Sequence, residues 1–422
     1  MGVEMPIIAA ALGRLPGSQQ QLAAFGGVVF PVALVIESPV IMLLAASVRL
    51  SDTPRNFAFL QRFSRILGLS LTAIHGLIAF TPLFDVLIVP LIDPPSEIID
   101  SARLGFQCML PFTLAVAERR FHQGLLIRFG RQRKVGIGTI VRLGAMVTTL
   151  LLLASVATDY DIDGAALGAL AISAGVVSEA IYARLEALKI ERGPLARIAE
   201  DRVLLNMKLT MRFYIPLALT SMLTLIAQPL ISAGMNRMPE ALASLAILPA
   251  LGGLSFLLRS TGIAFNEVAI HHARDENSRS ALRAFAILAG TALSLFTVLF
   301  AVSPVAELWY GSLLGLDREM VALAKFATWA IIPLPLLSFL ASYWQGLLVD
   351  QHHTKAVSEG VAAGLAATIV VLVVLAITDW TTGAVGAGLA LTLGAAAQCC
   401  WLSWRTWNLT NDDDCGAENH QS

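Results

Sequence analysis

Charge is scarce in this sequence. Only 14% of its 422 residues are Asp, Glu, Lys or Arg, 56% are hydrophobic, and the mean hydropathy is +0.72. A soluble domain carries about 25% charged residues. This chain has too few to cover itself with a polar surface, so a water-soluble fold is excluded. Cysteine is scarce too. Cys108, Cys399, Cys400 and Cys415 lack metal-ligand spacing, and the adjacent Cys399 and Cys400 read as ordinary buried thiols. No long basic tract or aromatic-basic patch points to nucleic acid. The glycines of Lys134-Val135-Gly136-Ile137-Gly138 lack the strand and spacing of a phosphate loop. With no nucleophile–base array and no metal motif, nothing implies an enzyme, a cofactor or a metal. No n-region, h-region and cleavage site precede the first apolar span, so no cleaved signal peptide is expected.

What is present is an internal repeat. Pro6-Ile7-Ile8 matches Pro229-Leu230-Ile231, Arg14-Leu15-Pro16 matches Arg237-Met238-Pro239, and Leu22-Ala23 matches Leu245-Ala246. After a one-residue slip, Thr81-Pro82 matches Ser303-Pro304, Asp85 matches Glu307, Arg103 matches Lys325 and Pro111 matches Pro333. Gln123-Gly124-Leu125-Leu126 then meets Gln345-Gly346-Leu347-Leu348. Such self-similarity is read before anything else.

A membrane span needs about 20 apolar residues. Eleven candidate spans follow: Gln20–Val48, Phe63–Leu91, Leu104–Ile127, Val135–Ala157, Ala165–Leu185, Phe213–Met235, Ala241–Ile270, Leu282–Tyr310, Val321–Val349, Ala356–Ile377 and Ala384–Trp404. Pro6–Gly13 is too short to cross. Basic residues cluster in alternate loops, at Arg49 to Arg65, Arg119 to Lys134 and Lys189 to Arg212, whereas Asp93 to Glu97, Asp159 to Asp163 and Asp379 mark acidic ones. The excess of Lys and Arg inside places the basic loops and the C-terminus in the cytoplasm of a multi-pass inner-membrane protein. The domains expected are an N-terminal bundle over 1–185, a cytoplasmic linker over 186–212, a C-terminal bundle over 213–407 and a disordered tail over 408–422. Met1 matches Thr224, so copy one lacks the first half of its opening helix and a start codon further upstream is expected. The fold class is therefore an all-α polytopic membrane protein. It is built from two six-helix bundles related by a pseudo-two-fold axis along the membrane normal, with the first helix of copy one truncated.

Copy two opens with Phe213-Tyr214-Ile215-Pro216-Leu217-Ala218-Leu219, reaches Gln228-Pro229-Leu230, and later reads Tyr343-Trp344-Gln345-Gly346-Leu347-Leu348. Copy one closes with Gly164-Ala165-Ala166-Leu167-Gly168 and Ser178-Glu179-Ala180. These segments resemble the multidrug/oligosaccharidyl-lipid/polysaccharide exporter superfamily, and within it the progressive-ankylosis branch. The resemblance implies a MATE-like fold around a central cavity and, from the branch, export of anionic metabolites. In proton- or sodium-coupled relatives the first helix often carries a coupling carboxylate. Here that half-helix is missing, so the coupling ion is not read from it.

Ionisable groups inside spans are costly and mark functional candidates. Glu37, in Val35-Ile36-Glu37-Ser38-Pro39, matches Ser260, next to Arg259 in Leu257-Leu258-Arg259-Ser260-Thr261. Arg259, Glu37, Ser260 and Ser38 are the candidate substrate-binding residues. A guanidinium suits carboxylate or phosphate, with Glu37 as its counter-charge when the site is empty. A permanent ion pair that pins the two copies is the alternative. His75, Glu179 and Arg142 are candidates for coupling or gating, against a packed histidine and a structural Arg142–Glu179 pair. Glu267 reads as a helix-end charge. Arg103 and Lys325 read either as a positive outer vestibule or as interface anchors. The His271-His272 and His352-His353 pairs lack supporting ligands, Gln123 and Gln345 read as helix packing or a loop hydrogen bond, and the span prolines, from Pro31 and Pro111 to Pro333 and Pro335, as kinks.

The function expected is a secondary-active transporter. It exports a small anionic metabolite by alternating access through a central cavity between two bundles. The partners implied are that small anionic or amphiphilic substrate, membrane lipids and a coupling proton or sodium ion. A flippase for a lipid-linked sugar or lipid is the alternative, and a non-transporting membrane scaffold is the third class. Deleting Ile190–Asp201 discriminates the last: a scaffold loses its function, whereas an exporter keeps part of its transport.

Overall fold

A computed structural model describes residues 2–157, 160, 162–199, 204–272, 276–351 and 353–418. These residues form helices and no strand, as a hydrocarbon environment requires of a chain that must satisfy its own backbone groups. Ten helical segments are long and apolar enough to cross a membrane, including Pro54–Phe80, Gln132–Ala157, Gly164–Arg197 and Ala241–His272. The expected span Leu104–Ile127 is absent from that set because its helix carries Glu118, Arg119 and Arg120. Outward faces are apolar: Ile66 is 63% exposed and Leu288 72%. Only lipid makes such faces stable.

The chain divides into two compact units, residues 7–233 and residues 2–6 with 234–418. In the first, α1 (Glu4–Leu12) and α2 (Ser18–Ala23) lead through a π-helical turn (Ala24–Val29) into α3 (Phe30–Ile41) and α4 (Leu43–Leu50). Next come α5 (Pro54–Phe80), α6 (Val89–Ile92), α7 (Ile99–Cys108), α8 (Leu110–Arg128), α9 (Gln132–Ala157) and α10 (Gly164–Glu191), then α11 (Met207–Leu225). The second unit holds α13 (Ala241–His272), α14 (Glu276–Val302), α15 (Pro304–Glu307), α16 (Arg318–Ala330), α17 (Leu334–Asp350), α18 (Thr354–Thr378) and α19 (Gly383–Glu418). Between them α12 (Ala227–Asn236) crosses the boundary.

These units do not begin where the repeat does. A second bundle is expected from 213, yet α11 lies in the first unit, packed on α3. Tyr214 donates its hydroxyl to the Pro39 carbonyl, and its ring stands edge-on to Phe63 at 5.2 Å. Conversely, residues 2–6 belong to the second unit, where a Cβ on Gly253 would meet Pro6 Cδ at 2.5 Å. Each unit thus contains chain from the other copy's opening segment.

The repeat reappears as local geometry. Gly17 and Glu240, which follow the matched prolines Pro16 and Pro239, both hold left-handed backbone at φ 63° and 56°. Glycine adopts that region freely, whereas a residue with a Cβ is strained by roughly 1–2 kcal/mol. Asp93 and Gly315 repeat the feature at φ 57° and 73°. π-Helical turns recur at Phe84–Ile88 and Leu308–Leu313. Gly124 and Gly346 recur as close approaches, since a Cβ on either would meet a facing helix at 2.5 Å.

The prolines divide into two groups. Pro39, Pro216 and Pro249 lie inside helices, where a missing N–H breaks the ladder. Pro31, Pro111 and Pro335 are instead first-turn residues, and Pro333 precedes α17. Each lies where its span is interrupted, Pro31 just after the π-helical turn, Pro111 just after the break at Met109, and Pro333 and Pro335 at the break between α16 and α17, so the missing donor costs little there. Helix α19 is described to Glu418, and residues 419–422 of the expected tail lie outside the described residues. The expected linker is helical at both ends, to Glu191 and from Met207, and Leu205 N donates to Asn56 Oδ1 at 2.9 Å.

One repeated device joins helices across each unit. Gln21 Oε1 accepts from Gly164 N at 2.8 Å and Ala165 N at 3.1 Å, and the matched Ser244 Oγ accepts from Ala384 N at 2.9 Å. Each satisfies donors that the first turn of a long helix leaves free. Gln21→Ala and Ser244→Ala are expected to cost about 1–2 kcal/mol each, Gln21 the more because it serves two donors. Thermal unfolding of the purified protein in detergent reads this; an unchanged midpoint for Gln21→Ala would refute the cap.

Candidate functional site

In the first unit α8 and α9 pack on α10, and α3 packs on α8. They bring together a buried ionic cluster. Glu179, 1% exposed, lies on α10. Arg119 Nη1 donates to its Oε2 at 2.7 Å and Gln123 Nε2 to its Oε1 at 2.9 Å. Arg142 Nε approaches Oε2 at 3.5 Å from α9. The expected Arg142–Glu179 pair is therefore present, but Arg119 is its nearer member. Arg119 and Arg120 are expected at the inner loop. Arg119 is instead buried, because α8 continues as helix through Arg128.

Glu37, on α3, is fully buried, and neither carboxyl oxygen has a hydrogen-bond partner among the described residues. Arg119 and Arg120 are the cations that act on it electrostatically. Arg120 in turn senses Arg119, Glu37, Glu179 and Arg142. Three guanidinium groups thus face two carboxylates, one fully bonded and one without a hydrogen bond. Ser38 and the repeat-matched Ser260 beside Arg259 return their hydroxyls to their own helices, each at 2.7 Å to the carbonyl three residues back.

His75 lies apart from this cluster. Its Nδ1 is 3.0 Å from Thr113 Oγ1, its Nε2 is 2.9 Å from the Phe106 carbonyl, and its ring stacks on Phe106 at 4.1 Å. The carbonyl accepts only, so Nε2 carries the proton and Nδ1 is left to accept from the threonine. This is the packed histidine of the structural alternative. Arg103 and Lys325 are likewise engaged, Arg103 with Asp85 and Lys325 with Glu307 at 3.9 Å. Because each cation is matched by the equivalent acid, a bare positive vestibule does not form from them.

The second unit is open at the matching place. A cavity of about 390 Å³ is lined by one stripe from each of three helices. From α13 come Arg259, Ile263, Asn266 and Glu267, at the i, i+4, i+7, i+8 spacing of a single helix face. Ser338, Ser342 and Gln345 come from α17, and Gln398 from α19. By the repeat, Arg119, Arg120 and Gln123 correspond to Ala341, Ser342 and Gln345. The capped starts at Gly164 and Gly383 set Glu179 against Gln398. Where copy one has two arginines and a glutamate that fill the space, copy two has small and neutral side chains.

Arg259 Nε has no hydrogen-bond partner. Asn266 Nδ2 donates to the Ser342 carbonyl at 3.3 Å and to Gln345 Oε1 at 3.4 Å. Ser338 Oγ donates to the Arg259 carbonyl at 3.3 Å, which fixes α17 against α13 at the arginine. Glu267 is exposed near the end of α13 and takes part in no ion pair among the described residues, in keeping with the helix-end charge expected rather than with a structural pair. Sequence reasoning put Arg259 in an apolar span, where it lies, gave Asn266 no role beyond its place beside Glu267, read Gln345 as helix packing or a loop hydrogen bond, and did not single out Ser338 or Gln398. The available signal was the polar stripe on α13, which repeats at helical spacing in an otherwise apolar run.

No protein-family model matches the chain, and no curated protein matches it. Solved structures do. A multidrug-resistance MATE-family transporter of the MOP superfamily in its inward-facing conformation aligns at TM-score 0.77 and 13% identity, over 97% of this chain and 95% of that one. The lipid II flippase MurJ, inward closed, aligns at 0.71 and 12%, over 96% and 85%. A MOP-superfamily transporter from Pyrococcus furiosus, described with a binding pocket of reversed polarity, aligns at 0.59 and 14%, over 97% and 95%. At such identities the likeness is one of fold. The chain has the MATE-like fold over nearly its whole length, and the branch-level likeness rests on sequence motifs alone.

The two glutamates of the first unit differ in what their loss removes. Glu179→Leu strands buried guanidinium groups, which costs about 3–5 kcal/mol. Glu37→Gln breaks no hydrogen bond and removes at most a buried charge, so stability is expected to hold within about 1 kcal/mol. Equal losses of thermal stability in detergent would show that Glu37 is bonded like Glu179.

Proposed function

We propose that this chain is a secondary-active membrane transporter that exports a small anionic metabolite by alternating access. One observation carries the reading: Arg259, with no bond to its Nε, lines a cavity of about 390 Å³ together with the amides of Asn266, Gln345 and Gln398 and the hydroxyls of Ser338 and Ser342. Within a span, such a guanidinium is costly unless it meets an anion or water. Its planar fork binds carboxylate or phosphate through two parallel hydrogen bonds. The superfamily resemblance and the fold neighbours support transport in general. The anionic cargo rests on Arg259 and on the branch motifs.

In this reading the protein lies in the inner membrane with its basic loops and C-terminus in the cytoplasm, as the distribution of Lys and Arg favours. Glu37, unbonded and buried beside Arg119 and Arg120, is the group best placed to answer a coupling ion. His75 is not, since both its ring nitrogens are engaged. A flippase for a lipid-linked sugar is the second reading, favoured by the fold likeness to the lipid II flippase. The polar groups of the Arg259 cavity suit a soluble cargo or a polar headgroup, with Ile263, Leu337, Ala341 and Ala395 supplying its apolar share.

Metabolite profiling of spent medium tests this directly. Cells expressing the unmodified chain are expected to accumulate a particular anion outside, and cells expressing Arg259→Ala at equal membrane abundance are expected to lose that signal by about tenfold or more. Arg259→Lys should recover only part of it, because an ammonium lacks the planar fork. Equal export by the alanine variant would remove Arg259 from the site and favour the flippase.

A further inference from the structure

The wall of the Arg259 cavity holds hydrogen-bonding capacity of both kinds in reserve. On the donor side, the Arg259 guanidinium makes no hydrogen bond or ion pair among the described residues, and neither does the amide of Gln398. Gln345 uses its oxygen to accept from Asn266 at 3.4 Å and keeps its amino group free. On the acceptor side, the Ser342 carbonyl fixes the Asn266 amide. A carbonyl only accepts, so Nδ2 faces it at 3.3 Å and Oδ1 is left without a donor. Gln398 Oε1 is equally without one, and Glu267 brings a carboxylate with no ion pair to the same wall. Three acceptor groups thus await donors beside the single guanidinium of the lining.

These reserves exclude most anions. A simple mono- or dicarboxylate presents acceptor oxygens alone. Held by Arg259, it would set lone pairs or bare alkyl chain against Asn266 Oδ1, Gln398 Oε1 and Glu267. Each acceptor stripped of water without gaining a donor costs about 1–3 kcal/mol. A second acid group would also meet the carboxylate of Glu267, and a phosphate monoester carries nearly two charges at neutral pH where the wall has one cation. Ammonium groups would supply donors but cancel the charge that draws a cargo to Arg259. Hydroxyl groups donate and accept together and carry no charge. The apolar share of the wall, Ile263, Leu337, Ala341 and Ala395, suits the C–H faces of a short hydroxylated chain. A cavity of about 390 Å³ is in the range that holds a small metabolite.

We propose that this cavity binds a polyhydroxylated monocarboxylate, a sugar acid in chemical class. Its carboxylate lies on the fork of Arg259. Its hydroxyls donate to Asn266, Gln398 and Glu267 and accept from the amino groups of Gln345 and Gln398. The proposal rests on the reading of Arg259 as the anion-binding residue and narrows it to a cargo with one negative charge and several hydroxyl donors. Glu267 then becomes a specificity-determining residue, which accepts from a hydroxyl and rejects a second acid group in its place.

The test is ligand binding to the purified full-length protein in detergent, read by isothermal calorimetry. The probes share one carbon-chain length. They are D-gluconate, D-galactonate and D-mannonate, the matched alditols that lack the carboxylate, the matched aldarates that add a second, and hexanoate, which lacks the hydroxyls. At least one of the sugar acids is expected to bind. Its alditol, its aldarate and hexanoate are each expected to bind about tenfold or more weakly. In Glu267→Gln the penalty on the aldarate should shrink while that on the alditol remains. Because the probe series runs on the unmodified protein, the result does not depend on a variant folding. Hexanoate binding as tightly as the sugar acids, with both lost in Arg259→Ala, would overturn the sugar acid and leave the anion reading standing. An alditol binding as tightly as its acid, unaffected by Arg259→Ala, would remove the anion reading as well. An aldarate binding as tightly as its sugar acid, or no sugar acid binding folded protein better than hexanoate, overturns the proposal.

Discussion

Hydrocarbon offers no hydrogen bond and almost no dielectric shielding, and every polar decision in this chain follows from that. Backbone groups are satisfied inside helices, and where a helix starts within the fold a side chain from a neighbouring segment completes it, as Gln21 and Ser244 do for α10 and α19. Ionisable groups survive only in protein-lined interiors, so their positions are informative in a way that surface charges are not. The first unit answers the constraint by mutual neutralisation around Glu179. The second answers it by leaving an open, partly polar cavity beside Arg259.

The contrast between the copies has a simple chemical origin. Matched positions on α8 and α17 carry Arg119 and Arg120 in one copy and Ala341 and Ser342 in the other. Two long side chains become two short ones, and the volume they release becomes cavity. The same scaffold therefore yields a filled ionic core or a vacant polar one by a few substitutions, while the caps, the left-handed turns and the close glycine contacts stay fixed. Geometry is shared between the copies and chemistry is not.

How much of this was legible in the sequence depended on whether the signal was periodic. The repeat, the spans and the buried charges Arg259, Glu37, Glu179 and Arg142 stand out against an apolar background. Matched Gln123-Gly124 and Gln345-Gly346 gave the close helix approaches. Arg119 escaped because basic residues at the end of an apolar run read as a loop, and nothing local says that α8 continues to Arg128. Gln398 escaped because a lone amide in a helix carries no pattern; only the packing of α19 on α17 gives it a neighbourhood. The unit boundary was missed for a related reason. Self-similarity says which segments descend from the same ancestor, whereas packing decides which segments share a core, and α11 obeys the second.

That exchange sets where the chain can be divided. A cut at the repeat boundary near 213 would leave bare the face on which α11 lies against α3. The face on which Pro6 seats against Gly253 would be equally uncovered. A half excised along the sequence repeat would therefore lack part of its own core, whereas the compact unit over 7–233 carries its own.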